Sequence, residues 1–148
     1  MHQYKDSRKM PYDAKLINDI ILQVDQYPEF LPWCKDAKIL QIEENYFIAE
    51  LFVSFKGFTY SYKSKIEHSY IDEKYIINVV AISAPFKSLN NKWIIKSLKN
   101  ESYVEFFIDF EFESMILDKL VGLVFSIATE KMIHAFETRA KETSDRLH

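Results

Sequence analysis

Glycine is almost missing from this chain: there are two in 148 residues, with four prolines and a single cysteine. Two glycines are too few for the glycine-rich loops that cradle phosphates, so a nucleotide-binding loop is not expected. One cysteine excludes a disulfide framework within the chain and fits a reducing compartment. The four histidines, His2, His68, His134 and His148, stand at no metal-ligand spacing. No run of about 18 apolar residues occurs, so no membrane-spanning helix is expected. The first residues, Met1-His2-Gln3-Tyr4-Lys5-Asp6, hold no apolar signal core, and the chain reads as cytosolic. A basic excess is also absent. The net charge of −3 argues against a broad nucleic-acid face and against DNA as a partner.

Aromatic side chains are abundant instead, with twelve Phe and nine Tyr. Aromatics suit a pleated, half-buried surface, so strands are expected. An apolar content of 48% marks a globular chain, and its length fits one domain spanning residues 1–148. Residues 3–10 read as a first strand. Pro11 then opens a helix over about 12–25, carried by Ala14, Leu16, Ile17, Ile20, Ile21 and Val24 at helical spacing.

From Lys38 to Glu113 the pattern alternates. Phe55-Lys56-Gly57-Phe58 reads as a two-residue hairpin, with Gly57 free to take positive φ. That turn pairs Val53 with Tyr60, Leu51 with Tyr62, Ala49 with Ser64 and Phe47 with Ile66 on one face. Glu50 meets Lys63 and Ser54 meets Thr59 on the other. A second hairpin is expected at Asn100-Glu101. It would pair Ile95 with Phe106, Trp93 with Ile108, Asn91 with Phe110 and Leu89 with Phe112, and set Lys96 against Glu105 and Lys92 against Asp109. Tyr75 to Ile82 is apolar on both faces. Glu113-Ser114 then opens a long helix to about Lys141, with Leu117, Leu120, Val121, Val124, Ala128, Met132, Ala135 and Phe136 as its stripe. Ile116, Leu123 and Ile127 widen the stripe to nearly the whole circumference of its first half, which should be buried or meet a partner. An antiparallel sheet with one apolar face needs a cover, and this helix is the element long enough to supply it. The expected class is α+β: a curved antiparallel sheet of about seven strands wrapped on a long C-terminal helix.

Tyr27-Pro28-Glu29-Phe30-Leu31-Pro32-Trp33-Cys34 sets three bulky apolar side chains between two prolines. Proline fixes φ and donates no amide hydrogen bond, so a bend is expected there. This octapeptide resembles the signature of the coenzyme Q-binding family, which also contains the bacterial ribosome-association toxin. Pro85-Phe86-Lys87-Ser88-Leu89-Asn90-Asn91-Lys92-Trp93 is similar to that family's P-F-x-x-L-x-N-x-W segment, although Ala84 stands where many members have glycine. Val104 to Phe112, with Phe136-Glu137-Thr138-Arg139-Ala140, resembles its last strand and helix. The resemblance runs in order along nearly the whole chain. It implies a helix-grip, START-like fold of the polyketide-cyclase and lipid-transport superfamily, with a cavity between sheet and helix. It further implies a non-enzymatic carrier of ubiquinone or a similar polyprenyl lipid, supporting respiratory electron transport. Ubiquinone would then be cargo, with no cofactor. The carrier would be cytoplasmic, with transient contact at the inner membrane surface. The family also admits a ribosome-directed toxin of a toxin–antitoxin pair, blocking subunit joining, and related folds include polyketide cyclases.

On that fold the expected cavity residues are Phe30, Leu31, Trp33, Leu51, Tyr60, Tyr62, Leu89, Asn91, Trp93, Phe106, Phe110, Leu120 and Val124. Each large apolar member fits an ordinary core equally well. Asn91 is expected to point inward, and a buried amide needs a backbone, water or ligand partner. Phe30, Leu31 and Trp33 are either a cavity lip or a plug on one end of the core. Cys34 has no base beside it in sequence and reads as a small buried residue. Glu105, Asp109, Glu111 and Glu113 stand at strand spacing, but opposing lysines make them a solvent face. No catalytic or metal-binding residue is assigned.

Overall fold

The computed structural model describes residues 1–55 and 57–147. In chain order the elements are β1 (His2–Met10), α1 (Ala14–Leu22), a 3-10 helix (Val24–Glu29), β2 (Cys34–Ile42), β3 (Tyr46–Phe55), β4 (Phe58–Ile71), β5 (Lys74–Ala81), β6 (Phe86–Leu98), β7 (Glu101–Phe112), α2 (Met115–Gly122) and α3 (Phe125–Leu147). The seven strands form one sheet in the order β1-β7-β6-β5-β4-β3-β2, antiparallel throughout. One face is apolar and holds the helices. This is the expected helix-grip architecture.

The β3–β4 register agrees with the sequence at every expected pair, from Phe47 opposite Ile66 to Ser54 opposite Thr59. Gly57 has φ 83°, the left-handed conformation the turn requires. Lys56, the other turn residue expected there, lies outside the described residues. The β6–β7 register differs from the expectation by two residues. Ile95 faces Val104, Trp93 faces Phe106, Asn91 faces Ile108 and Leu89 faces Phe110. The loop is Lys99-Asn100, and Asn100 takes φ 62°. Asparagine visits that region more readily than other non-glycine residues, so it serves where glycine is missing. A two-residue shift keeps each side chain on its expected face, because the strand period is two. Lys96 still reaches Glu105 diagonally at 2.9 Å, while Asp109 accepts from Asn90 rather than from Lys92.

The helices depart further. α1 ends at Leu22, and the chain continues as a 3-10 helix that carries Pro28 near its end. The octapeptide therefore begins inside a helical turn, not on an open bend. Proline is tolerated there because a short 3-10 segment leaves few amides that need a partner. The expected long C-terminal helix is two helices. Ser114 caps α2, its Oγ accepting from Leu117 N at 3.2 Å. α2 stops at Gly122, and Val124 N bonds Val121 O at 3.0 Å before α3 begins. Glycine weakens a helix by about 1 kcal/mol against alanine, which favours a break at this point. Here it also admits a neighbour: a Cβ on Gly122 would stand 2.5 Å from His2 Cε1.

The half-helix expected to be buried or to meet a partner buries Leu117 but leaves much of its apolar side exposed. Ile116, Leu123 and Ile127 are 76%, 80% and 61% exposed. α2 is instead fastened by polar groups. Phe112 N donates to Asp118 Oδ1 at 3.0 Å, and His2 Nε2 lies 3.0 Å from Asp118 Oδ2. The Phe112 amide, with His2 beside it, holds the Asp118 carboxyl below the usual carboxylate range.

Candidate ligand cavity

The apolar rows of the sheet are filled unevenly. Val104, Ile95, Phe106 and Trp93 pack with Ile17, Ile20 and Ile21 of α1 and with Ile133, Phe136 and Ala140 of α3 as a continuous core. Toward α2 the side chains stop meeting. A cavity of about 300 Å³ remains there, between the sheet and the first turns of α3. That volume sits at the small end of the roughly 300–1,000 Å³ range of ligand sites.

Leu31, Trp33, Leu51, Tyr62, Leu89, Asn91, Trp93, Phe110 and Val124 line it, all of them expected from the sequence. The structure places four other expected residues elsewhere. Phe30 packs edge-on against Tyr27 and Phe136 and lies under the Arg139 guanidinium, so it is a plug. Phe106 is core, wedged between Tyr4 and Trp93. Leu120 faces outward on α2, because the helix is fastened through Asp118 on a different side. Tyr60 pairs with Val53 in the register but is not part of the wall. The alternatives for the octapeptide thus divide by residue: Phe30 plugs, whereas buried Leu31 and half-buried Trp33 border the cavity.

Arg139 explains why the octapeptide and the Phe136–Ala140 segment belong together. Its Nη2 donates to Gln26 Oε1 and to Glu29 Oε1, each at 3.0 Å, and its plane covers Phe30. One side chain on α3 therefore holds the 3-10 turn and the start of the octapeptide. The Tyr27 hydroxyl donates to the Ile21 carbonyl and closes the same corner. Burial pushes the Tyr27 phenol far up, so it stays a neutral donor.

Asn91 does point inward, and it has protein partners. Its Nδ2 donates to Phe107 O at 2.9 Å, and its Oδ1 accepts from Trp93 Nε1 at 3.1 Å. The indole N–H only donates, so it must face the amide oxygen, and the amide orientation follows. One amide N–H remains beyond the bond to Phe107.

Sequence reasoning missed most of the α3 wall: Phe125, Ala128, Thr129, Met132 and Phe136. Three of these were in the expected apolar stripe, and reading the stripe as ligand wall instead of core would have found them. Thr129 was legible as a polar residue breaking that stripe. Cys34 is buried, its Sγ donates to Asp36 O at 3.5 Å, and burial pushes its thiol up to about 11. A thiol held protonated is not a nucleophile at neutral pH. Among the described residues no charged side chain lines the cavity. Among the described residues no three His, Cys, Asp or Glu gather as a metal site, and no helix is long and apolar enough to cross a membrane.

The chain is 41% identical over 143 residues to the ribosome association toxin RatA of Rickettsia prowazekii, covering 96% of this chain and 98% of that one. It is 27% identical over 142 residues to the mitochondrial coenzyme Q-binding protein COQ10 homolog B of Xenopus laevis, covering 93% of this chain and 57% of the other. A STAR-related lipid transfer protein from Xanthomonas axonopodis has the same fold, with a TM-score of 0.80 at 8% identity over 94% of this chain and 85% of that one. The family described as polyketide cyclase / dehydrase and lipid transport matches residues 10–137. With its START-like sheet gripping a C-terminal helix, the chain belongs to the polyketide cyclase / dehydrase and lipid transport family.

Proposed function

We propose that this protein is a non-enzymatic carrier of a neutral polyprenyl lipid, with ubiquinone the best fit, working in the cytoplasm with transient contact at a membrane. The observation that carries the reading is the apolar cavity, with no charged group among the described residues of its wall. Acid–base chemistry on a polyketide needs a titratable group poised near neutrality. Among its described residues this wall offers only Tyr27 and Tyr62, and burial pushes both phenols far above their ordinary value. Binding an apolar chain needs only apolar surface. Each methylene moved from water into the cavity is worth about 0.8 kcal/mol. Against a bilayer the balance is near zero, so the chain exchanges with the membrane instead of being trapped.

The α2 apex supports the exchange step. Met115, Ile116, Leu123 and Ile127 are exposed beside Val121 and Val124, which line the cavity. An apolar apex continuous with an apolar wall suits contact with a bilayer. The test is an organic extract of the purified protein read by mass spectrometry. The reading expects co-purified isoprenoid quinone; several preparations that carry no lipid, with no uptake of a short-chain quinone, would sink it.

A second reading, a ribosome-directed toxin, is favoured by the 41% identity to a ribosome association toxin. It would act through a surface and leaves the cavity unexplained. Sedimentation of ribosomal subunits with added protein tests it: impaired subunit joining supports it, and unchanged joining at excess protein removes it.

A further inference from the structure

The sheet face opposite the cavity carries an open groove of about 490 Å³ over β1, β7 and β6. Side chains alternate along a strand, so Val104, Phe106 and Phe110 of β7 point inward while Tyr103, Glu105 and Phe107 point outward. The registers line these up with their neighbours. Lys5 and Lys92 flank Phe107, and Lys9 and Lys96 flank Tyr103. Between the two rows stand Ser7, Glu105 and Ile94. A lysine–aromatic–lysine row thus crosses β7 twice, four residues apart, which is roughly 14 Å along an antiparallel strand. Both rings are half-buried, with ammonium groups over them. Lys5 Nζ lies 5.6 Å from the centre of the Phe107 ring, and Lys96 Nζ lies 5.6 Å from that of Tyr103.

The charge of the groove is set locally. Asp13, Asp19, Asp25 and Glu29 against Lys15 give residues 11–33 the whole excess of −3, so the rest of the chain is neutral on balance. Within the groove, Lys96 meets Glu105 at 2.9 Å, and at its end Lys9 meets Glu101 at 3.8 Å. Asp6 is held by Arg8 at 2.7 Å, and Asp109 accepts from Asn90 at 3.2 Å. Lys5 and Lys92 have no carboxylate partner among the described residues. Two uncompensated ammonium groups therefore stand on either side of one aromatic ring. The matching ligand carries negative charge on both sides of a flat apolar group. A single-stranded polynucleotide does so, with a phosphate on each side of every base and a base free to stack. At a rise of at least about 3.4 Å per nucleotide, up to four steps of one strand bridge the two rings. A duplex keeps its bases stacked on one another, and an acidic peptide answers the lysines but leaves the rings without a flat partner.

We propose that the outer face of β1, β7 and β6 binds single-stranded RNA. Bases stack on Phe107 and Tyr103, and phosphates are held by Lys5 and Lys92. Glu105 and Ser7, between the rings, accept from a ribose 2′-hydroxyl, which favours RNA over DNA. The net charge argues against a broad nucleic-acid face, and this one is only two rows wide. The site lies on the far side of the sheet from the cavity and does not depend on what the cavity carries.

The test is fluorescence anisotropy of a labelled RNA of about six nucleotides, titrated with the full chain over a range of salt. The wild type should bind saturably, with affinity falling as salt rises. Lys5→Gln and Lys92→Gln should each weaken binding and reduce the log–log salt slope by about 0.7, the share of one phosphate on a single strand. Phe107→Leu should weaken binding about 5-fold or more, the loss of one stacked base, and leave the slope unchanged. Lys131→Gln, at an exposed site on α3, should change neither. Lys5 and Lys92 are exposed, so their variants keep the test open even if Phe107→Leu disturbs the sheet. No saturable binding at low salt overturns the proposal. Equal losses from Lys131→Gln and Lys92→Gln overturn it too, as does displacement of the RNA by polyglutamate as readily as by unlabelled RNA. DNA of the same sequence binding as tightly overturns the assignment to RNA. Quinone uptake by the lysine variants should match the wild type, so this proposal and the carrier reading fail separately.

Discussion

At the α1 end of the sheet, Met10, Ile17, Ile95 and Val104 close against one another and against α3, with almost no surface left. At the α2 end the same alternation of apolar residues encloses empty space, and the covering helix turns much of its apolar side outward. The strands are continuous from one end to the other, so the sheet cannot account for the difference. The covers can. α1 and the middle turns of α3 present Ile and Phe to the sheet, while the first turns of α3 present Ala128, Thr129 and Met132. α2 buries Leu117 and is otherwise fastened through Asp118 and His2. One end holds the fold and the other is left free to bind.

Truncating one residue at each end should expose that division most clearly. Ile95→Ala should cost about 2–5 kcal/mol, because it opens a hole in a fully packed region. Val124→Ala lines a space that is already empty and should cost under about 1 kcal/mol. Urea unfolding of both variants makes the comparison, and equal losses would erase the proposed distinction. Arg139→Ala should come next. It removes two hydrogen bonds and the cover on Phe30, for a loss of about 1–3 kcal/mol. Hydrogen exchange should then rise in residues 24–33 before the sheet is affected.

Trp33→Ala sharpens the contrast from the other side. It should lower quinone affinity roughly tenfold while thermal stability falls little, since Trp33 borders the cavity and is only half-buried. A variant that unfolds would make Trp33 a plug like Phe30. The smallest effect concerns acid. The Asp118 carboxyl is held below its ordinary value, so its contribution is fully present above about pH 4 and is lost as pH falls through the depressed value. Methyl signals of Met115 and Leu117 should shift below that pH while signals from Ile95 stay put. Asp118→Asn should abolish that dependence.

The strand registers were more legible in sequence than the helices that cover them. Gly57 identified the β3–β4 turn, and one glycine in a two-residue loop fixes every pair behind it. The β6–β7 turn used Asn100 in the same role without a neighbouring glycine, so its placement slipped by one residue and the register behind it by two. The slip did not harm the site, because each side chain kept its face and Asn91, Trp93 and Leu89 stayed inward. The helical cover was harder. Periodicity marks which residues are apolar, but not whether the chain bends at Gly122 because His2 occupies the space beside it. That contact joins residues 120 positions apart in sequence, and no local pattern announces it. The same limit blurred the boundary of the expected cavity, since Phe106 and Phe110 alternate alike and only their covers differ.

Transfer of ubiquinone between two populations of vesicles tests the central claim most directly. A short-chain quinone in donor vesicles and a quenchable fluorophore in acceptor vesicles report the rate. The account predicts that the protein speeds transfer in proportion to its concentration, and that Trp33→Ala slows it. A transfer rate unchanged by excess folded protein would contradict it.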